Sequence, residues 1–240
     1  MTRVVIMPVL AALLFAAACS GGDGPTELDS KVSVRFVNMT TGSLGSGGFT
    51  AKGQFVPGSA LAPGQVAQTC SKLDGGKTSL GFGASNTAGT GLSGNELTTL
   101  VDETISAGGD YTLVAAGPAT SPTLHLFSNG FSGSLGTNQA AVRFLSLAPP
   151  TGTTVYNYVF YVGDVGAGVS PVATNIPFGI ASGYTVVTSS ANKFSALQTP
   201  GATIVVQAGT VTLQAASPNT IALIRNASGD FQLIHLPRCS

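Results

Sequence analysis

From Lys31 onward, apolar and polar positions alternate in short runs. KVSVRFVN sets Val32, Val34 and Phe36 on one side of an extended chain and Ser33, Arg35 and Val37 on the other. That is the period of a β-strand. TVYNYVFYVG sets Tyr156, Tyr158 and Phe160 on one face, an aromatic ladder of the kind that ties neighbouring strands together. GYTVVTSS (183–190) and ATIVVQAGTVTLQA (202–215) are β-branched runs, the second broken at Gly209. Turn signals at Gly166, Gly168, Gly179, Gly183 and Pro200-Gly201 recur at the short spacing of a sandwich. No long Glu/Lys/Leu helical pattern appears. The Gly-rich stretch 69–96 predicts long exposed loops. The whole chain after residue 30 therefore reads as β.

The same strand opens twice. Val34-Arg35-Phe36-Val37 lies over Val142-Arg143-Phe144-Leu145 at an offset of 108. The offset still works at the far end of each half, where VDETISAGGDYTLVAAG (101–117) lies over GTVTLQAASPNTIALIR (209–225). Thr104-Ile105 then matches Thr212-Leu213, and Leu113 matches Ile221. A last strand closes each copy, PTLHLFSN (122–129) and DFQLIHLPR (230–238). One register held over so long a span predicts two copies of one module, at 31–138 and 139–240. With about seven short strands per copy, the expected fold class is all-β: two tandem immunoglobulin-like or transthyretin-like antiparallel β-sandwiches.

The first 30 residues differ. Arg3 precedes an apolar run from Val4 to Ala18, and small residues lead to Cys19. A charged start, a short apolar stretch and a small-residue site describe a secretory leader. The run is shorter than the roughly 20 residues needed to span a bilayer. Placement of Cys19 after Ala16-Ala17-Ala18 resembles the lipobox of bacterial lipoproteins, which implies a signal segment over 1–19, acylation of Cys19 and a partner membrane reached through that lipid. SGGDGPTELDS (20–30) has no apolar periodicity, so it predicts a flexible tether.

Composition narrows the function. Charged residues are 8% of the chain, ten acidic and ten basic, against roughly 25% in an average soluble domain. Without a basic stripe, nucleic acid is excluded as an expected partner. Once Cys19 is set aside, Cys70 and Cys239 remain, an even pair in an exported chain. Bonded, they would close a loop of well over 100 residues, contributing at most about 4–5 kcal/mol; two buried thiols are the alternative.

Few residues carry chemistry. His125 and His235 sit on the last strand of their copies, each flanked by aliphatic residues and without a second ligand at metal spacing. Asp164 in YVGDVGAGV only faintly suggests a phosphate loop, because no helix follows it. GLSGN (91–95) lacks the spacing of a nucleophile elbow. No catalytic residue, metal or cofactor is assigned. Arg35 and Arg143, at matching places, could clamp a carboxylate or anionic sugar, or lay their stems along a sheet. Tyr156 and Tyr158 could contact a glycan, or pack between sheets.

The opening VRFVN strand, the later PFGIASGYTVV (177–187) and a GGDYTLVAAG-type strand together resemble the bacterial family named domain of unknown function forty-three ninety-seven. That resemblance covers residues 31–238 in two copies. It implies repeated Ig-like or transthyretin-like sandwiches in lipoproteins and secreted surface proteins, with no established activity. The expectation is a non-catalytic envelope lipoprotein, a structural, adhesive or protein-interaction module on the cell envelope. A glycan- or peptide-binding module using inter-strand loops is the alternative, and a hydrolase would need clustered acid–base residues.

Overall fold

A computed structural model describes residues 30–150, 154–166, 168–226 and 228–239. The leader, Cys19 and the tether up to residue 29 lie outside the described residues. The first half carries β1 (Lys31–Thr41), β2 (Gly47–Ala51), β3 (Gln54–Phe55), β4 (Gln65–Val66), β5 (Ser71–Asp74), β6 (Gly76–Ala84), β7 (Thr98–Ile105), β8 (Asp110–Pro118) and β9 (Thr123–Ser128). The second carries β10 (Gln139–Ser146), β11 (Asn157–Val162), β12 (Ala173–Pro177), β13 (Thr185–Thr188), β14 (Lys193–Thr199), β15 (Thr203–Thr210), β16 (Pro218–Arg225) and β17 (Phe231–Leu236). No helix occurs among the described residues.

The strands form four open sheets. In the first half an inner sheet runs β4-β1-β8-β9, with β5 also on β1, and an outer sheet runs β3-β2-β6-β7. In the second, β13-β10-β16-β17 is the inner sheet and β12-β11-β14-β15 the outer. Pairing is antiparallel except at one place in each half, where the opening strand runs parallel to the penultimate one: β1 beside β8 and β10 beside β16. The fold is all-β, made of sandwiches with no closed barrel.

Side-chain alternation explains how the layers stack. Val32, Val34 and Phe36 of β1, with Tyr111, Leu113 and Ala115 of β8, meet Phe49, Leu80, Phe82 and Ile105 of the outer sheet in one core. Ala140, Val142 and Phe144 of β10, with Ile221 and Leu223 of β16, meet Tyr158, Phe160, Phe194 and Ala196 in a second. Stacked or tilted rings hold both, Phe36 on Phe49 at 4.8 Å and Phe144 on Phe160 at 4.7 Å between centroids. The opposite faces of the inner sheets are apolar too. Val37, Met39, Val114 and Ala116 from one half pack against Leu145, Leu147, Ala222, Ile224 and Leu236 from the other, forming a third core between the halves. The order of layers is outer, inner, inner, outer, and the two sandwiches are fused along their inner sheets.

Cys70 and Cys239 are joined as a disulfide across 169 residues, tying the end of the second half to the β4–β5 connection of the first. Residues 69–96 differ from the exposed loop expected of them. They hold β5 and β6, whose Thr78, Leu80 and Phe82 point inward while Gly81 and Gly83 point outward. A Cβ at Gly81 would strike the Glu96 carboxylate, and one at Gly83 would crowd Leu92 and the Asn95 carbonyl. The glycines are there so that the following loop can lie flat on the outer sheet.

Leu145 is fully buried between the halves. Leu145→Ala is expected to cost about 2–5 kcal/mol, lowering a single cooperative transition in urea followed by circular dichroism. Two separate transitions in the unaltered protein would show that the halves unfold independently.

Candidate functional site

All four central strands, β1, β8, β10 and β16, point the same way, so the inter-repeat interface has two unlike ends. At the end where these strands begin, polar groups interlock. Arg143 Nε donates to Thr220 Oγ1 at 2.9 Å, and its Nη1 donates across the interface to the Ser128 carbonyl at 2.6 Å. Its Nη2 reaches Asn129 Oδ1, and the guanidinium lies 5.2 Å from the centre of the Tyr184 ring. Asn129 donates to Asp110 Oδ1 at 2.8 Å, and Asp110 Oδ2 accepts from Arg238 Nε at 2.9 Å. Arg35 completes the chain from the other side, donating to the Ala67 carbonyl, to the Gln68 carbonyl at 3.2 Å and across the interface to the Arg238 carbonyl at 2.9 Å.

Each repeat's opening arginine thus grips the end of the other repeat, and the disulfide sits beside Arg238. Burial pulls both guanidinium groups below the usual arginine value, and Asp110 pushes back on each. An arginine remains charged through such a shift. At 6% exposure apiece, Arg35 and Arg143 act as clamps between repeats, and Arg35 also borders a shallow pocket with Ser33, Gln68 and Lys72.

The other end, where β1, β8, β10 and β16 finish, is open. A cleft of about 480 Å³ lies there, lined from both repeats by Met39, Thr41, Pro63, Pro118, Pro149, Pro150 and Arg225 among others. Pro118 closes β8, and Pro149 and Pro150 follow β10. Proline has no N–H to donate to a ladder, so the sheets stop at this level. Arg225 lies flat on Phe231, 3.9 Å from the ring centre, and its Nη1 donates to the Gly229 carbonyl at 2.9 Å. This cleft is a concave site lined from both halves.

Tyr158 is 1% exposed, sealed in the second core against Phe231, where burial pushes its hydroxyl up and Arg225 pulls it back. It offers no platform to a ligand. Tyr156 is partly buried beside the same core. Asp164 accepts from Gln207 Nε2 at 3.1 Å, and GLSGN lies in the loop over the first outer sheet. Cys19 lies outside the described residues. Among the described residues no three His, Cys, Asp or Glu side chains gather.

The histidines are not equivalent. Leu113 pairs with Leu126, but its counterpart Ile221 pairs with His235. The β16–β17 turn is one residue longer than the β8–β9 turn, so the repeat offset slips to 109 in the last strand. His125 consequently faces the other repeat, edge-on to Phe178 at 5.4 Å, while His235 turns to the opposite side of its sheet. Gly179, at φ +76°, lies so close that a Cβ would enter the His125 ring. The PFGIASGY stretch is therefore an inter-repeat contact, through Phe178 and Gly179 at His125 and through Tyr184, whose hydroxyl donates to the Asn129 carbonyl at 3.4 Å and whose ring meets Phe131 edge-on.

No family model matches the chain, and no curated protein matches it. Among solved structures it is similar to one described as alpha-glucan binding by a streptococcal virulence factor. The identity is 13% over 79% of this chain and 92% of that one, and the TM-score is 0.22. A likeness of that quality carries no argument about ligand.

Burial lowers the pKa of both His125 and His235. The unfolded chain, with histidines near 6.5, then binds more protons than the folded one below that pH. Stability should be level above about pH 6.5 and should fall as the solution is acidified towards the lowered folded values. Urea midpoints across pH 5–8 check this, and His125→Leu should flatten the slope. Gly179→Ala should destabilise by more than the about 0.4–1 kcal/mol that such a change can gain at an unstrained site. Combining it with His125→Ala should restore part of the loss in thermal melts.

Proposed function

We propose that this chain is a non-catalytic interaction protein of the cell envelope, lipidated at Cys19, whose two repeats act as one rigid body. The observation that carries this reading is the third core, which joins the inner sheets through an apolar face while Arg35, Arg143 and the Asp110–Arg238 pair make their bonds across the interface. A fused stack of this kind supports a fixed presentation of surfaces, as a structural, adhesive or protein-binding module requires. Membership of the family resembled above, and an exported, membrane-held address, are parts of the same proposal.

The strand direction suits an anchor. β1 begins at the clamped end and finishes at the cleft, and its 11 residues span about 36 Å at roughly 3.3 Å each. A lipid at Cys19 would join the folded body through the tether that leads into the clamped end of β1. The cleft favours the second reading, a binding module for a peptide or glycan, as the specific form that interaction takes.

Acyl groups should be found on Cys19 by mass spectrometry of protein extracted from membranes, and Cys19→Ala should release the protein to the soluble fraction. Unchanged partitioning of that variant would remove the anchor. Turnover of an ester, peptide or glycan by the pure protein would replace the non-catalytic reading with an enzymatic one.

A further inference from the structure

We propose that the cleft at the open end of the inter-repeat interface binds the end of an extended apolar peptide, with Arg225 taking its free carboxylate. The proposal rests on the reading of this chain as an interaction protein, and it names the ligand.

The cleft's volume of about 480 Å³ falls in the range of roughly 300–1,000 Å³ typical of ligand sites, which favour domain interfaces. Its wall is mostly apolar, with Met39 and four prolines, Pro63, Pro118, Pro149 and Pro150. Proline holds φ fixed, so this wall is formed before a ligand arrives and little ordering is needed on binding.

Charge selects the ligand. Among the described residues Arg225 is the one charged side chain in the lining, and none of them brings a carboxylate to the cleft. Among the described residues no acid pairs with it. The Phe231 ring holds its guanidinium plane, Gly229 takes Nη1, and Nε is buried with no acceptor. No described residue accepts from Nη2. A planar cation held in place with donors to spare matches a carboxylate, and charge-assisted hydrogen bonds of this kind are among the stronger ones. The repeat offset sharpens the point, because the position of Arg225 is held in the first repeat by Gly117, at φ +98°. The cation breaks the internal symmetry at the cleft.

Three ligand classes could supply an apolar body with an anion. Among the described residues no aromatic ring lines the cleft, so an acidic sugar finds no face there on which to stack. A diacyl lipid is too large for a cleft of about 480 Å³. A peptide end remains, and a cleft in the lower half of the usual size range fits a few residues better than a segment passing through.

Two pools of random N-acetylated tetrapeptides test this against the folded full chain, one pool ending in a free carboxylate and the other in an amide. The free-acid pool should shift the NMR amide signals of Met39, Thr41, Gly64 and Gly229, and at least about tenfold more of it should be retained. Arg225→Gln should abolish that preference, Arg225→Lys should keep part of it, and Lys72→Gln, at the clamped end beside Ser33, should leave it unchanged. Thermal melts confirm that each variant is folded. Equal retention of both pools, with shifts still confined to the cleft, would overturn the carboxylate assignment. Absence of shifts with either pool would overturn the cleft as a peptide site, while the envelope reading would still be decided by the partitioning of Cys19→Ala.

Discussion

The rest of the structure depends on inner sheets that are apolar on both faces. In β1, Val34 and Phe36 enter their own sandwich while Val37 and Met39 enter the contact with the other repeat. β8, β10 and β16 are divided in the same way. Strands buried on both sides read as nearly continuous apolar runs and are typical of parallel pairs, and here they are the ones that pair in parallel. A single repeat in water would expose a full sheet face of Val, Met and Ala, at a cost of roughly 25 cal/mol for each Å² left uncovered. The inner sheet of each half therefore supplies the missing layer of the other, and the two halves form one stack.

An apolar face attracts without direction, so it does not by itself decide how two flat sheets are turned against each other. The arginine network does. A guanidinium has a rigid planar fork, and here two of them reach in opposite senses, Arg143 to Ser128 and Asn129, Arg35 to Arg238. Both are desolvated, and truncating either would take the guanidinium donor from buried carbonyl oxygens, each costing about 1–3 kcal/mol. The disulfide beside this network limits how far the two ends can separate even when the chain unfolds.

Much of this was legible from the residues alone. Period-two alternation marked the strands, an offset of 108 marked two stretches that fold with the same strand order, and an even pair of cysteines pointed to the bond between Cys70 and Cys239. What was hidden depended on the third dimension. Alternation in VRFVN places Arg35 on the second face of its strand but does not say that another sheet covers that face, so a buried clamp looks like an open one. Tyr158 belongs to a ladder whose orientation is set by the sheet opposite. Glycines in 69–96 resemble loop residues until the loop that lies on them is seen. The histidines fell out of register because one extra turn residue, invisible to an alignment by offset, reverses every side chain after it.

The cleft shows where a duplicated scaffold can acquire a use. Under the same offset, Thr41 corresponds to Pro149, Gly42 to Pro150, Pro118 to Asn226 and Gly117 to Arg225. At the clamped end the two repeats kept the same residue, Arg35 and Arg143, because each must serve its neighbour equally. At the open end nothing in the third core requires equality, so the pairs diverged, into prolines that end the sheets and a lone cation that no described acid neutralises. Packing holds one end of the interface more tightly than the other, and the cleft proposed as a peptide site lies at the less constrained end.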